Sequence, residues 1–326
     1  MCLTKTQIAQ QWHVTDIGEP TQIIGIEITR GFDSISISQK KYIEKVLDKE
    51  GMTYTNPVAI PLDPKIPIEP NPEISERNRS NPFARLLGEL QYIANATRPD
   101  ISFAVNRLAS YTANPSLVHY GMLKQILRYL AGIKNWGITY KKWRHESPII
   151  AYSDSTHANT DQKKSTSGIV FLSGGSAVSW KSKQQTITAL LPTKAEYIAL
   201  SRTGQDAWWI SNIYNKLELS FSDPITICSD SLGAIANCKN LYITHSSRHI
   251  DLKWHAVRDF LRHNIIAPES CHNANQMADM LTKTLARLKF KKCCIEMSLV
   301  PVWRGVLRGY IQPAARPPCH LHTYPR

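Results

Sequence analysis

The chain has 326 residues, of which 42% are hydrophobic and 20% charged, so it can bury a core and fits two domains or one domain with a large appendage. No run approaches the roughly 18 consecutive apolar residues that a membrane span needs, and the first residues lack the layout of a signal peptide. The 39 lysines and arginines exceed the 26 acidic residues, and the net charge of +13 favours polyanionic partners. A basic but unspecialised surface explains this charge equally well.

The cysteines indicate a reducing compartment. They number seven, form no C-x-x-C pair, and have a spacing that suits neither a zinc site nor a disulfide framework. We therefore expect reduced thiols and an intracellular protein, cytoplasmic or nuclear, that is neither secreted nor bound to a membrane.

Residues 1–55 predict a small mixed region. An apolar, β-branched run over 23–29 predicts a strand that ends at a turn, and Ser34–Ser38 alternates isoleucine with serine as a second short strand does. Ser38 stands where it can cap a helix over 39–50.

Prolines mark the next segment. Residues 56–82 contain seven prolines, each of which removes a backbone donor and fixes φ, so we predict an exposed, extended linker without long helices. After it, residues 83–145 form a predicted helical connection region, because apolar residues recur at i, i+3, i+4 and i+7 over 101–108 and 123–130.

Residues 146–285 predict an α/β domain with the element order βββαβαβα. A hairpin turn is expected at Gly174-Gly175. Strands are expected at 149–152, 168–172, 177–181, 225–229 and 265–269. A long helix is expected from about Thr193, and a short helix that ends at about Asn237 is expected after the fourth strand. Another helix is marked by Ile250, Trp254, Val257 and Leu261, and a final one is expected over about 275–284.

Four carboxylates occupy related places in this segment. Asp154 and Asp230 end the first and fourth predicted strands, while Glu196 and Asp279 lie on the long and the final predicted helices. Because the carboxyl ends of adjacent parallel strands meet at one edge of a sheet, Asp154 and Asp230 are neighbours if their strands pair in parallel. Taken singly, such a carboxylate is more often a turn residue or a cap, but the set of four favours a site.

Carboxylates in such a group repel one another unless cations neutralise them. Hard oxygen ligands suit Mg²⁺ or Mn²⁺, and two ions about 3.5–4 Å apart can stabilise both the attacking and the leaving oxygen of a phosphodiester. The sequence therefore predicts two Mg²⁺ (or Mn²⁺) ions as cofactors, held by catalytic residues that are also the metal ligands: Asp154, Glu196, Asp230 and Asp279.

Longer stretches form an ordered set: AYSDS, KKSTSGIVFLSGG, AVSWKSKQQ, TKAEYIALS, ICSDSLGAI, RHIDLKWHAVRDF and QMADMLTK. Upstream lie IGEPTQIIGIEI, ISQKKYIEKVL, LLGELQYIANATRPDISFAVNRLASY and HYGMLKQILRYLAG. The first set resembles the ribonuclease H domain of copia-type retrotransposon Pol polyproteins. The second resembles the reverse transcriptase segment that follows the polymerase palm in the same polyproteins. The resemblance covers about residues 13–298.

This resemblance implies an RNase H-like five-stranded mixed sheet flanked by helices, preceded by a smaller mixed, mostly helical region. It implies two-metal hydrolysis of the RNA strand of an RNA–DNA hybrid, with water as the nucleophile. Asp154 would bridge both metals, and Asp279 would help hold the one that activates water. Glu196 and Asp230 would hold the other metal at the leaving oxygen. The implied partners are the hybrid and the rest of the Pol polyprotein.

The chain departs from the family pattern in three ways. Ser155, Thr156 and His157 follow Asp154 where the family usually has a second Asp and a Trp, and Lys194 replaces a usual extra Glu. These two departures alter the local charge without removing an expected ligand. The polymerase signature Tyr-x-Asp-Asp occurs nowhere in the chain, so we expect no DNA synthesis. We interpret the chain as the last part of a longer polyprotein or a truncated copy of one.

Weaker candidates surround the predicted site. His272, seven residues before Asp279, is a candidate proton shuttle, with a surface loop residue as the alternative. Five further residues would contact phosphates if the hairpins face the hybrid. The alternative is that the lysines lie on a solvated sheet edge and that the serine forms an ordinary turn. These residues are Lys163, Lys164, Ser165, Lys181 and Lys183.

Residues 286–326 predict a basic, disordered tail, because no apolar periodicity is evident and no acidic residue follows Pro301. Two alternatives to an active enzyme stay open. A catalytically inactive remnant would keep the fold and the basic surface. A nucleic-acid-binding module would bind a hybrid or duplex without metal. Other nucleases and integrases share this fold, so the fold alone does not separate them from a ribonuclease H, and the matched motifs favour the ribonuclease H of retroelements.

Overall fold

The computed structural model describes residues 7–10, 12–16, 18–72, 82–142, 149–219, 224–239 and 256–302. The strands are β1 (Gln22–Ile23), β2 (Ile26–Arg30), β3 (Ser34–Ser38), β4 (Trp136–Lys141), β5 (Ile149–Thr156), β6 (Thr166–Ser173), β7 (Ser176–Gln184), β8 (Ile225–Ser229), β9 (Ile266–Ser270) and β10 (Leu299–Pro301). From β1 onward the α-helices are α1 (Lys40–Lys49), α2 (Pro82–Ala96), α3 (Ser102–Ala109), α4 (Leu117–Gly132), α5 (Pro192–Lys216), α6 (Leu232–Lys239), α7 (Ala256–Arg262) and α8 (Arg287–Glu296). In the described ranges, no helix has both the length and the apolar character that a membrane crossing requires.

Three distant parts of the chain build the first sheet, which is antiparallel with the order β1-β2-β3-β4-β10. The predicted strand over Ser34–Ser38 is confirmed. The predicted strand over 23–29 is divided into β1 and β2 by a turn at Ile24 and Gly25, both of which have positive φ. The N-terminal region, the connection region and the C-terminal segment therefore share one sheet.

The helix predicted over 39–50 is confirmed as α1, but Ser38 does not cap it. Gln39 is the N-cap residue and makes no side-chain capping bond. Instead, the Lys41 N–H donates a hydrogen bond of 3.1 Å to Glu27 Oε2. A carboxylate from β2 thus satisfies a free donor at the start of α1.

The predicted disordered tail is wrong over residues 287–301. The helix α8 buries Phe290, Cys293 and Cys294, and β10 then pairs with β4. Together with Met297 these residues stand at i, i+3, i+4 and i+7, so the helical period is present but two of its members are cysteines. Residues 303–326 lie outside the described part of the chain.

The proline-rich stretch contains no helix or strand over 57–72, as predicted, and residues 73–81 lie outside the described ranges. It is not fully exposed, however. Leu62 is buried in the core, and the carbonyl of Ile68 accepts a hydrogen bond of 3.1 Å from the Tyr111 hydroxyl. The stretch therefore packs along the helical connection region.

The second sheet is mixed, with the order β7-β6-β5-β8-β9. The strands β5, β6 and β7 are antiparallel, while β8 and β9 run parallel to β5. Gly174 and Gly175 both have positive φ and form the predicted hairpin turn. A five-stranded mixed sheet with flanking helices confirms the predicted α/β fold class.

Both faces of the second sheet are buried at β5 and β6, where successive residues point to opposite sides. Ala151 and Phe171 face a core that includes residues of α5, α6 and α7. Tyr152 and Val170 face the larger core of the helical connection region and α8. The connection region and the second sheet thus form one packed body, and the predicted domain boundaries stay predictions.

The last predicted helix differs from the structure. Over 275–284 the chain forms short 3₁₀ turns at Asn273–Asn275 and Met277–Leu281 instead of an α-helix. In the helix predicted upstream, Val257 lies in α7, whereas Ile250 and Trp254 fall outside the described residues.

Candidate active site

The parallel pairing of β5 and β8 places two carboxylates side by side. Tyr152 and Cys228 are the last paired residues of this ladder, and Asp154 and Asp230 each follow two residues later. The two strands therefore pair in parallel, which is the arrangement that would make Asp154 and Asp230 neighbours. Asp154 is buried, and Asp230 is half-buried.

The start of α5 brings the third carboxylate to the same edge. Pro192 occupies the first turn, where its missing N–H costs nothing, and Glu196 follows one turn later. Gln185 Nε2 anchors this end of the helix with hydrogen bonds of 2.9 Å to the Ala195 carbonyl and to Ser167 Oγ. Glu196 Oε1 then accepts a hydrogen bond of 3.2 Å from the Ser155 N–H, next to Asp154.

These three carboxylates form one cluster. Each of Asp154, Glu196 and Asp230 offers an oxygen that lies within 4.8 Å of the other two. Burial, followed by repulsion from Asp154 and Asp230, raises the pKa of Glu196 to about 8. Burial also raises the pKa of Asp154 to about 6, although Lys283 and a hydrogen bond from Thr282 oppose the shift.

Asp279 lies beside this cluster, separated from Asp154 by an ammonium group. The carboxylate is fully buried, and its Oδ1 lies 2.6 Å from Lys283 Nζ. The same Nζ lies 3.9 Å from Asp154 Oδ2. Lys289 of α8 forms an ion pair with Asp279 Oδ2. Burial lowers the pKa of Lys283, but Asp154 and Asp279 outweigh that effect and raise it.

The 3₁₀ turn that carries Asp279 is held against β5 and β6. Gln276 Nε2 donates a hydrogen bond of 3.0 Å to the Ser153 carbonyl, and Thr282 Oγ1 donates one of 2.5 Å to Asp154 Oδ2. Gly168 leaves the space for this approach. The turn therefore fixes the orientation of Asp154 as well as the position of Asp279.

The cluster fits a divalent cation. Three carboxylate oxygens within one ion's reach are the hard donors that Mg²⁺ and Mn²⁺ prefer. In the described part of the chain, Glu196 Oε2 is buried without a hydrogen-bond partner, although a buried carboxylate oxygen normally has one. A cation at this edge would satisfy that oxygen and offset the repulsion among the carboxylates.

The residues predicted to contact nucleic acid have varied surroundings. Ser165 is fully buried and accepts a hydrogen bond from the Ala158 N–H, which favours its alternative role in the turn. Lys181 forms an ion pair of 2.6 Å with Asp206 of α5. Lys163 has positive φ in the exposed loop between β5 and β6, and the side chain of Lys183 is exposed on the edge strand β7. Their contacts with phosphate stay a prediction, as does that of Lys164, which lies next to Lys163.

His272 is exposed and its Nδ1 accepts a hydrogen bond of 3.1 Å from the Ala274 N–H. The ring therefore caps the first 3₁₀ turn, and Nε2 is the nitrogen that proton transfer would use. Its role as a proton shuttle stays a prediction.

Three residues that contact the site carboxylates were not predicted from the sequence: Thr282, Lys283 and Lys289. Thr282 and Lys283 belong to the stretch QMADMLTK, and Lys283 stands four residues after Asp279, which is a visible ion-pair spacing. Lys289 could not be assigned, because it lies in the segment predicted to be a tail.

Comparison with known sequences finds relatives over most of the chain. The retrovirus-related Pol polyprotein from transposon RE2 of Arabidopsis thaliana is 32% identical over 311 residues, which are 94% of this chain and 21% of that protein. The corresponding polyprotein from transposon TNT 1-94 of Nicotiana tabacum is 33% identical over 89% of this chain and 22% of its own length. The chain thus spans about a fifth of these relatives. An uncharacterized mitochondrial protein of Arabidopsis thaliana, AtMg00810, is 32% identical over 63% of this chain and 84% of its own length.

Solved structures are more distant. The complex of LC11-RNase H1 with an RNA/DNA hybrid has 16% identity and a TM-score of 0.32, covering 41% of this chain and 93% of that one. The foamy viral protease-reverse transcriptase in complex with double-stranded DNA has 15% identity and a TM-score of 0.44, covering 76% of this chain and 37% of that one. No protein-family model matches the chain. The identity of about a third with transposon polyproteins over about nine tenths of its length shows that the chain belongs to the family of copia-type retrotransposon Pol polyproteins.

Proposed function

We propose that this chain is a ribonuclease H that hydrolyses the RNA strand of an RNA–DNA hybrid with the help of two divalent cations, Mg²⁺ or Mn²⁺. The observation that carries the proposal is the cluster of Asp154, Glu196 and Asp230, with Asp279 next to it. Carboxylates at the carboxyl ends of parallel strands, with a buried oxygen lacking a partner, are expected of a cation site rather than of solvated turns.

The carboxylates have separate tasks in this proposal. Asp154 lies between the others and would contribute to both cation positions, while Glu196 and Asp230 would complete one and Asp279 the other. When bound, divalent cations lower the pKa of a water nucleophile and stabilise the leaving oxygen of a phosphodiester. Thr282 and the Ser155 N–H hold Asp154 and Glu196 in place, so the ligands are oriented before a cation arrives.

The hybrid substrate is proposed from the family and the charge. The net charge of +13 attracts a polyanion, and exposed lysines such as Lys163 and Lys183 lie on the same domain as the site. The remainder of a Pol polyprotein is the proposed macromolecular partner. DNA synthesis is not proposed, because Tyr-x-Asp-Asp is missing from the sequence.

The test compares the unmodified chain with D230N and D206N. Asp230→Asn keeps the size but removes a charge from the cluster, whereas Asp206→Asn makes the same change in a surface ion pair on α5. We expect D230N to lose more than about 100-fold in hybrid cleavage, because changes around metal ligands alone cost about 10- to 100-fold. D206N should cleave like the unmodified chain, and D230N should still bind hybrid. Equal cleavage by D230N and the unmodified chain would refute the proposal.

A further inference from the structure

Lys283 supplies a cation inside the proposed site. Its Nζ contacts Asp279 Oδ1 at 2.6 Å and Asp154 Oδ2 at 3.9 Å. Asp279 and Asp154 are almost completely buried, whereas the Lys283 side chain is 40% exposed. Lys283 is thus the member of this group whose side chain reaches the surface, so a change of its rotamer would not require the buried carboxylates to move.

Lys289 also contacts Asp279 but is placed differently. Its Nζ binds the other oxygen, Oδ2, and donates further hydrogen bonds to the Asn273 carbonyl and to Asn273 Oδ1, at 3.1 and 2.8 Å. These bonds join α8 to the first 3₁₀ turn. Lys289 therefore anchors the segment that carries Asp279, while the ion pairs found for Lys283 in the described residues are with the two site carboxylates.

The charges at the site distinguish two cation positions. When all four carboxyl groups are ionised, as the ligands of a cation are, the two ammonium groups leave the site with a net charge of −2. One divalent cation at Asp154, Glu196 and Asp230 balances this charge. A second one, shared by Asp154 and Asp279, would need the space and the oxygens that Lys283 uses, and two like charges there would repel each other strongly.

We infer that Lys283 occupies the second cation position in the free chain and has to swing out before a divalent cation binds between Asp154 and Asp279. The inference rests on the metal site of the proposed function. Lys283 makes the two positions unequal: the position at Asp154, Glu196 and Asp230 fills first, and the position at Asp154 and Asp279 fills with lower affinity. Lys283 is in this sense a competing residue and not a ligand.

Mn²⁺ binding to the full chain, measured by calorimetry and by electron paramagnetic resonance of free Mn²⁺, tests the inference without reference to cleavage. We expect one Mn²⁺ to bind tightly and a second at least about 10-fold more weakly, since a unit charge about 4 Å away in partly exposed surroundings is worth more than the 1.4 kcal/mol of a tenfold change. Lys283→Met removes the charge and keeps the aliphatic stem. It should strengthen the second binding step by at least about 10-fold.

Lys289→Met is the matched control, because it removes the same charge from the same carboxylate without freeing space next to Asp154. Its effect on the second step should be clearly smaller than that of K283M. Equal strengthening in both variants would show a general charge effect and overturn the inference. An unchanged second step in K283M, or two equal sites in the unmodified chain, would overturn it as well.

A second measurement uses the unmodified chain and does not depend on the folding of a variant. Reductive methylation followed by mass spectrometry reports how accessible each amine is. We expect Lys283 to become several-fold more reactive as the second equivalent of Mn²⁺ binds, while the reactivity of Lys289 changes little. A constant Lys283 reactivity would overturn the inference. Loss of hybrid cleavage with an intact two-step Mn²⁺ profile would instead count only against the proposed function.

Discussion

Gly168 and Thr282 approach so closely that no side chain fits between them. A Cβ on Gly168 would lie 2.6 Å from Thr282 Cγ2 and 2.7 Å from the Ala278 carbonyl oxygen. Gly168 is the partner of Asp154 in the antiparallel ladder of β5 and β6. The glycine thus allows the 3₁₀ turn to reach the strand on which Asp154 lies, and the Thr282 hydroxyl to bond its carboxylate.

We therefore expect Gly168→Ala to displace the turn that carries Asp279. Overpacking of this kind costs about 1–3 kcal/mol of stability, and the shift should also weaken Mn²⁺ binding. Gly88→Ala is the control, because a Cβ at Gly88 meets no atom within 4 Å and alanine favours the interior of α2. Urea unfolding and Mn²⁺ calorimetry of both variants are the measurements. A G168A protein with unchanged stability and Mn²⁺ affinity would contradict the role of the glycine.

The helix α8 is expected to belong to the folded body. Phe290 is buried and packs edge-to-face on Tyr129 with the ring centroids 5.8 Å apart, whereas Leu288 on the same helix is 85% exposed. Phe290→Ala should lower the free energy of unfolding by about 3–5 kcal/mol, as large core truncations do. Leu288→Ala should change it by less than about 0.5 kcal/mol, as surface substitutions do. Chemical unfolding measures both, and two equally small effects would show that α8 is not packed.

Stability should depend on pH and metal together. The pKa of Glu196 is raised to about 8 and that of Asp154 to about 6, chiefly by burial, whereas both carboxyl groups titrate near pH 4 when unfolded. Between about pH 4 and pH 8 these two groups therefore bind more protons in the folded than in the unfolded chain, and the stability that they contribute is lost as the pH rises. Mg²⁺ should raise Tm more at about pH 8 than at about pH 5, where protons neutralise the carboxylates.

Thermal unfolding with chelator or with Mg²⁺, at both pH values, measures this dependence. Glu196→Gln removes the group with the larger shift, so its metal-free Tm should fall less steeply with pH than that of the unmodified chain. A Mg²⁺ effect of the same size at both pH values would contradict the account of the cluster.

Much of the second sheet could be predicted because its local signals agree. The β-branched run before Asp230 and the Gly174-Gly175 turn each specify one conformation, and tertiary packing did not override them. Asp154 and Asp230 could be assigned to one edge because Asp154 lies near the carboxyl end of β5 and Asp230 directly follows β8. The parallel register that makes them neighbours depends on contacts distant in sequence and needed the structure.

Other parts could not be predicted because their determinants are distant or ambiguous. The buried stripe of α8 includes Cys293 and Cys294, and the lysines between its members made the helical periodicity of apolar residues hard to recognise. The segment with Asp279 forms 3₁₀ turns because Gln276, Thr282 and Lys289 hold it against β5 and α8, contacts that no helical pattern reveals. The pairing of Lys283 with Asp154 follows from the same turn.

The carboxylate cluster is proposed to cleave the RNA strand of a hybrid. The most direct measurement incubates the purified chain with an RNA–DNA hybrid labelled on either strand, and with double-stranded DNA, double-stranded RNA and single-stranded RNA of matched sequence, in Mg²⁺, in Mn²⁺ and in chelator. We predict cleavage of the hybrid's RNA strand in the presence of metal, no cleavage of its DNA strand, and no cleavage in chelator. A folded chain that binds the hybrid but cleaves it with neither metal would contradict the claim and identify an inactive remnant.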